Sequence, residues 1–188
     1  MDKQKLTEWS KQIHENACKH GWHDEKKSDA HWLCMVMTEI AEAVEADRKN
    51  RRAAVLFYDL YRENIDGTPA TDEQFKTAYD AYIKGSVEEE FADIVIRLLD
   101  FAYEKYGDNM EWREWCVRDL SSKTSFTEKA FSLLRWMTYE DIGMSDITLF
   151  VQYMYQWAYI MNVNLNFHIE AKMRYNAMRP YRHGCKAY

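Results

Sequence analysis

Two pairs of carboxylates, each three residues apart, are the side chains of this sequence best suited to chemistry. They are Glu39 with Glu42, and Glu90 with Asp93. Residues three apart on a helix share one side of it, so two facing helices could bring the four carboxylates together. Their oxygens would form a hard site that suits Mg²⁺, with Mn²⁺ as the alternative. Such an ion orients a polyphosphate and activates water, and a carboxylate not fully used by the metal could act as the base.

The first pair stands out because Glu39 falls inside an apolar arc. With about 100° of rotation per residue, the apolar residues on either side of Glu39 are Trp32, Val36, Ile40, Ala43, Met35 and Ala46. Glu42 lies at the edge of the same arc. Burial of an ionised carboxylate is costly unless a cation or a set of donors compensates it. An ordinary surface glutamate is therefore not expected at position 39.

The second pair is less distinct than the first. The apolar face of its helix consists of Val87, Phe91, Ile94, Leu98, Phe101 and Ala102. Glu90 borders that face, and Asp93 lies further round with Arg97. This arrangement is also typical of a solvated charged face that carries an Asp93–Arg97 ion pair at i,i+4 spacing. The metal interpretation of Glu90 and Asp93 depends on the facing pair.

The end of the chain reverses the acidic balance. Residues 171–188 contain no Asp or Glu and five basic residues, namely Lys172, Arg174, Arg179, Arg182 and Lys186. Lys172, Asn176 and Arg179 recur at helical spacing on one side of the last predicted helix. A basic helix C-terminus is favourable to the helix dipole without any ligand. Next to a carboxylate–Mg²⁺ site, phosphate binding by this segment explains both features.

The elements that must position these residues are predicted to be helices. Two prolines and six glycines fall almost entirely where the apolar pattern pauses, and no convincing alternating strand pattern occurs. The predicted helices span residues 6–20, 28–50, 53–64, 71–83, 86–106, 110–120, 125–139, 145–162 and 164–178. We expect one all-α domain over residues 1–188, a helical bundle with a four-helix catalytic core and extra helices.

Composition excludes several other classes of protein. The chain of 188 residues is 47% hydrophobic and 15% aromatic, which excludes a disordered protein. A net charge of −6 argues against general nucleic-acid or membrane binding, and no apolar run is long enough for a membrane span. The N-terminus lacks the apolar core of a signal peptide, and the four cysteines stand singly, so we expect free thiols and a cytoplasmic protein.

The two acidic motifs resemble a known signature. Glu39-Ile-Ala-Glu42 followed by Glu90-Phe-Ala-Asp93 resembles the ExxE…ExxD signature of the all-α nucleoside triphosphate pyrophosphatases, the MazG-like and dimeric dUTPase group. The tail from Lys172 through Asn176, Arg179 and His183-Gly184 to Lys186 is similar to that of MazG-like members. The likeness covers residues 1–107 and 165–188. Residues 46–86 and the helices within 110–162 are additional to a minimal domain of this kind.

The resemblance implies Mg²⁺-dependent cleavage of an NTP or dNTP between its α and β phosphates, with release of a monophosphate and pyrophosphate. It implies four metal ligands, namely Glu39, Glu42, Glu90 and Asp93, with Glu39 or Glu42 assisting the attacking water. It also implies phosphate contacts from the basic tail, for which the candidates are Lys172, Asn176, Arg179 and Lys186. Nucleotide-pool housecleaning, a dUTPase-like role and a homodimer are the corresponding expectations. Trp22 and His31 are candidates for a base pocket, although core packing also accounts for each.

Three alternatives use other features of the sequence. A di-iron bundle needs two Glu-x-x-His motifs, and the chain contains none. A His–Asp phosphohydrolase would use the adjacent His23 and Asp24, with His14 or His20 as a partner. A non-enzymatic helical interaction module would use the many Trp and Tyr residues at a protein interface.

Overall fold

The computed structural model of this chain describes residues 2–56, 70–113, 120, 124–138 and 141–182. Within those residues it is helical and contains no β-strand, which confirms the all-α prediction. The helices are α1 (Lys3–Lys19), α2 (Asp29–Arg48), α3 (Asp72–Tyr82), α4 (Val87–Tyr106), α5 (Phe126–Met137), α6 (Met144–Ile160) and α7 (Leu165–Ala177). None of these described helices is long and apolar enough to cross a membrane.

Helix α4 is the central element of the fold. Ser86 caps its start by accepting a hydrogen bond from the backbone N–H of Glu89, and Gly107 ends it with a positive φ of 54°. Helices α1, α2, α6 and α7 pack around it. Because it is covered on several sides, α4 buries polar positions as well as its apolar face. The buried polar residues are Glu89, Glu90 and Asp100.

The other helix starts follow their capping residues. Ser28 caps α2 by accepting from the N–H of His31, while Thr71 and Ser125 each form a reciprocal capping box at the start of α3 and α5. These starts confirm the corresponding predictions. Helix α3 packs against α7 through a small apolar cluster that includes Phe75, Ala78, Tyr79, Ala171 and Tyr175.

Two predicted helices need comment. The helix predicted over 110–120 is wrong at its start, because a short 3₁₀ turn at Gly107–Asn109 follows α4 and residues 110–113 are not helical. Met110 and Trp112 are buried nevertheless, so their apolar character reflects packing of an irregular segment rather than a helix face. Most of the helix predicted over 53–64 lies outside the described residues, and residues 53 and 54 are not helical.

The segment after α7 is attached to the end of α1. The backbone N–H of Arg182 donates to the carbonyl of His20 at 3.0 Å, and His20 Nε2 donates to the carbonyl of Arg179 at 2.8 Å. The Tyr181 ring lies against Gly21, whose φ is +77°, and its hydroxyl donates to Asp24. A Cβ at position 21 would lie 2.4 Å from that ring. Glycine is therefore required both for the backbone conformation and for the approach of Tyr181.

Replacement of Gly21 by alanine tests this attachment. We expect Gly21→Ala to lower the free energy of unfolding by about 1–3 kcal/mol, because it combines a left-handed backbone strain with displacement of the Tyr181 ring. In a Tyr181→Ala background the cost should fall to the backbone part, about 1 kcal/mol. Urea unfolding of the four proteins of this double-mutant cycle measures both values. An equal cost in the two backgrounds would contradict the Tyr181 contact.

Candidate metal centre

Three of the four predicted metal ligands lie together. Glu39 and Glu42 on α2 and Glu90 on α4 each offer one carboxylate oxygen, and these oxygens lie within 4.8 Å of one another. The i,i+3 spacing brings both α2 acids to one side of that helix, and the packing of α2 on α4 brings Glu90 to meet them. Asp93 lies one turn further along α4 and is not part of this group.

The three carboxylates differ in burial and in their partners. Glu39 and Glu90 are each 7% exposed, whereas Glu42 is exposed to solvent. Arg97 Nε donates to Glu39 Oε1 at 3.1 Å. Arg97 therefore pairs with a glutamate of the neighbouring helix α2 and not with Asp93, the partner suggested by its i,i+4 spacing. Among the described residues, neither Glu42 nor Glu90 has an ion pair or a side-chain hydrogen bond. With all three carboxylates ionised, the group would therefore carry more negative charge than its neighbours compensate.

The uncompensated charge is most evident at Glu90. Burial, followed by the nearby carboxylates of Asp93, Glu89 and Glu42, raises the pKa of Glu90 to about 9. The sequence placed Glu90 at the border of a polar face. The structure buries it because the polar side of α4 faces neighbouring helices rather than solvent. A buried carboxylate without a counter-charge is what a cation site between helices requires.

Asp93 is held by a lysine from the last helix. Lys172 Nζ lies 2.6 Å from Asp93 Oδ2 and 2.6 Å from Glu89 Oε1. Lys172 is only 7% exposed; burial opposes its charged form, but the carboxylates of Asp93 and Glu89 hold its pKa above the usual value. In this arrangement Lys172 joins α7 to α4. The assignments of Asp93 to a metal and of Lys172 to phosphate stay predictions.

Glu89 is a residue that sequence reasoning missed. A glutamate three residues after a serine is typical of a capping box, but only half of such a box forms here, the bond from the Glu89 N–H to the Ser86 side chain. Instead of bonding the Ser86 N–H, the Glu89 carboxylate accepts from Lys172, from the Tyr79 hydroxyl at 3.0 Å and from the Gly85 N–H. Its i,i+4 spacing to Asp93 was the available sequence signal, because both acids then face the same neighbouring helix.

A cleft of about 670 Å³ adjoins the carboxylates. The predicted site residues that line it are Trp22, Glu39, Glu42, Glu90, Asp93, Lys172, Asn176 and Arg179. Lys19, at the end of α1, also lines it and was not identified from the sequence. Neither Lys19 nor Arg179 forms an ion pair with a described residue. The cleft therefore combines uncompensated acids with uncompensated cations, an arrangement suited to a metal–polyphosphate ligand.

Asn176 contributes a polar atom that lacks a partner. Its Oδ1 is buried and accepts no hydrogen bond within the described part of the chain. Buried polar atoms are normally paired, so an unpaired one on the wall of a cleft indicates a ligand or water contact. The remaining predicted phosphate contact, Lys186, lies outside the described residues.

The two base-pocket candidates separate in the structure. Trp22 lines the main cleft, and it also lines an adjoining cavity of about 20 Å³ together with His31. His31 is not among the residues that line the main cleft. Burial and the charges of Lys27 and Arg97 lower the pKa of His31, so it is neutral at pH 7. Only Trp22 is placed to contact a ligand in the cleft directly.

The residues of the His–Asp alternative face different partners. His23 Nε2 lies 3.0 Å from Asp100 Oδ1, whereas Asp24 accepts from Tyr181 and lies 3.6 Å from Arg182. Although His23 and Asp24 are adjacent in sequence, they therefore belong to separate groups of interacting side chains.

Comparisons of the chain with protein-family models, with curated proteins and with solved structures find no match.

The raised pKa of Glu90 makes the metal-free protein less stable as the pH rises. The folded state disfavours the ionised form, so stability falls as pH increases from the ordinary pKa of glutamate toward about 9. We expect Glu90→Gln, measured by urea unfolding in EDTA, to stabilise the protein by about 3–5 kcal/mol at about pH 8 and by less than about 1 kcal/mol at about pH 5. A pH-independent effect would contradict the assigned burial of charge.

Removal of Lys172 should have a large effect of the opposite sign. Lys172→Met leaves Glu89 and Asp93 buried without their cation, and we expect a loss of about 3–5 kcal/mol in the free energy of unfolding. Lys49→Met is the matched control, because Lys49 pairs with Glu45 at 2.9 Å on the exposed surface. That change should cost less than about 1 kcal/mol. Equal losses for the two variants would contradict a buried ion-pair network at Lys172.

Proposed function

We propose that this chain is a Mg²⁺-dependent nucleoside triphosphate pyrophosphohydrolase that converts a (d)NTP and water to a (d)NMP and pyrophosphate. The observation that carries the proposal is the meeting of Glu39, Glu42 and Glu90 beside a cleft that is also lined by Lys19 and Arg179, two cations without an ion pair to any described residue. The sequence resemblance supports the same activity. The cleft volume of about 670 Å³ lies within the range of small-molecule sites, roughly 300–1,000 Å³.

The three carboxylates fit Mg²⁺ or Mn²⁺ better than a softer metal. They offer only oxygen ligands, and two of them, Glu42 and Glu90, form no ion pair with a described residue. Glu39, Glu42 and Glu90 would hold the ion. When bound, Mg²⁺ supplies charge neutralisation of the polyphosphate and a bound water of lowered pKa. Arg97 fixes the orientation of the Glu39 carboxylate through its 3.1 Å hydrogen bond.

Two cations that line the cleft would bind the phosphates. Arg179 and Lys19 form no ion pair with a described residue, so their charge is available to a polyanion. Lys172 has a different role in this proposal, since both of its close contacts are carboxylates. It holds the Asp93 carboxylate in place beside the metal ligands, and its charge opposes the rise in the pKa of Asp93 that burial causes. The Asn176 side chain would bond a polar group of the nucleotide.

Glu42 is the best candidate for the base among the three carboxylates. It is exposed and unpaired, whereas Glu39 is held by Arg97 and Glu90 is buried with a raised pKa. Glu42 would accept one proton of the water that cleaves the bond between the α and β phosphates. Because the same residue would contact the metal, its removal should reduce both binding and turnover.

The identity of the nucleotide depends on groups beyond the acids. Trp22 offers an aromatic face on the cleft wall, and stacking on such a face accepts any base. Housecleaning of nucleotide pools, a dUTPase-like preference, the homodimer and the cytoplasmic location accordingly stay predictions.

A panel of NTPs and dNTPs tests the proposal. With Mg²⁺ we expect release of pyrophosphate rather than orthophosphate, and with EDTA no release. Glu39→Gln should lower kcat by at least about 100-fold, because it removes the negative charge of a metal ligand while keeping the shape of the side chain. Glu45→Gln is the matched control, since Glu45 lies on the same helix and pairs with Arg48 on the surface.

Either of two results would overturn the proposal. Release of orthophosphate, or of nothing, from every nucleotide would exclude a pyrophosphohydrolase, and the absence of any release would favour the interaction-module alternative. Turnover by Glu39→Gln equal to that of Glu45→Gln would exclude the metal centre. Helix content from far-UV circular dichroism shows whether each variant is folded.

A further inference from the structure

A second group of metal-ligating side chains lies further along α4. It consists of His14 on α1, His23 in the loop that follows, and Glu104 on α4. One ligand atom from each of these residues lies within 4.8 Å of the others. Glu104 is fourteen residues beyond Glu90 on the same helix, which corresponds to about 21 Å along its axis. This group is therefore separate from the three glutamates described above.

The buried Asp100 orients both imidazole rings. Its Oδ1 lies 3.0 Å from His14 Nδ1 and 3.0 Å from His23 Nε2. A carboxylate accepts hydrogen bonds, so those two nitrogens are the ones that carry hydrogen. Burial opposes ionisation of Asp100, but its bonds to the two histidines lower its pKa, so it is an anion at neutral pH.

The opposite nitrogens of the two rings converge on Glu104. Its Oε2 lies 3.2 Å from His23 Nδ1 and 3.8 Å from His14 Nε2. In neutral imidazoles these nitrogens present lone pairs, which repel a carboxylate. The close contact of Glu104 with His23 is favourable if that ring is protonated or if a cation lies between the three groups. Burial opposes the protonated form of His23, but the Asp100 and Glu104 carboxylates favour it and raise the pKa of His23. Metal-bound histidines in proteins usually donate one ring N–H to a carboxylate and bind the metal through the other ring nitrogen, and both histidines have this arrangement here.

The rings are held in place by their packing. His23 stacks on Trp32 with 4.7 Å between ring centroids, and His14 lies 5.1 Å from the Tyr103 ring. His23 and Asp100 have side chains that are only 8% and 7% exposed. Glu104 is one-third exposed, so an ion can enter from that side. Cys18 Sγ lies 3.5 Å from His14 Nε2 and is within reach as a fourth ligand.

We propose that His14, His23 and Glu104 form a second metal site, specific for Zn²⁺ or another late first-row divalent ion such as Co²⁺, with Asp100 as the residue that positions both histidines. Imidazole nitrogens favour Zn²⁺ over Mg²⁺, so the two sites would take different ions. The site would join α1, the loop containing His23, and α4. Because the same loop carries Trp22, metal binding here fixes one wall of the main cleft.

The test uses the full chain with Glu42→Gln, which weakens the carboxylate site, in the presence of excess Mg²⁺. Binding of Co²⁺ is followed by visible absorption. Binding of Zn²⁺ is measured by competition with a chromophoric chelator. We expect one Co²⁺ or Zn²⁺ per chain and a rise in the melting temperature with Zn²⁺. His14→Ala, His23→Ala and Glu104→Gln should each weaken binding by more than 10-fold. Asp100→Asn should weaken it by about 10- to 100-fold, as expected of a residue that orients ligands.

Cys18 and Cys34, both exposed in the described part of the chain, provide a matched control. Cys18→Ser should change the Co²⁺ spectrum by removing a sulfur ligand, whereas Cys34→Ser should leave it unchanged. Absence of stoichiometric Zn²⁺ binding in excess Mg²⁺ would overturn the proposal. So would Zn²⁺ binding by the Glu42→Gln chain that is equally tight with and without the added change Glu104→Gln or His23→Ala. If a histidine variant fails to fold, Glu104→Gln still decides the question. This variant should fold, because Glu104 is partly exposed and glutamine has the same shape as glutamate.

Discussion

The fold depends on how the charges of α4 are compensated inside the helical bundle. This helix is enclosed by α1, α2, α6 and α7, yet it carries Glu89, Glu90, Asp93 and Asp100 along one side. Burial of so much negative charge is unfavourable unless each carboxylate finds a partner. Lys172 from α7 compensates Glu89 and Asp93, and two histidines compensate Asp100. The packing of α1 and α7 on α4 is thus an electrostatic as well as an apolar contact.

Glu90 is the exception, and the proposed function follows from it. It meets Glu39 and Glu42 without a compensating side chain among the described residues, so its pKa is raised to about 9. Such a group destabilises the metal-free protein and is relieved by a bound cation. A stability cost concentrated at one cluster beside a cleft is typical of a functional site rather than of a structural network.

Much of the architecture could be predicted from the sequence because its signals are local. Ser28, Thr71, Ser86 and Ser125 define four helix starts through bonds within one turn. The apolar neighbours of Glu39 correctly predict that it is buried. The helix predicted over 110–120 is wrong at 110–113 because buried residues in an irregular segment imitate a helical face.

The partners of the charged residues could not be predicted in this way, since they depend on contacts between distant helices. A helical wheel placed Glu90 on a polar border, but it does not show that other helices cover that border. The same limitation applies to Lys172, which bonds Glu89 from 83 residues away. It also applies to His14, which meets Asp100 from 86 residues away.

Binding of Mn²⁺, followed by the electron paramagnetic resonance signal of the free ion, tests the central claim most directly. The carboxylate site predicts one Mn²⁺ bound per chain in the wild-type protein. It predicts binding at least 10-fold weaker in Glu42→Gln, with little change in His14→Ala. Equal Mn²⁺ affinity for wild-type protein and Glu42→Gln, or no binding by either, would contradict a metal centre at Glu39, Glu42 and Glu90.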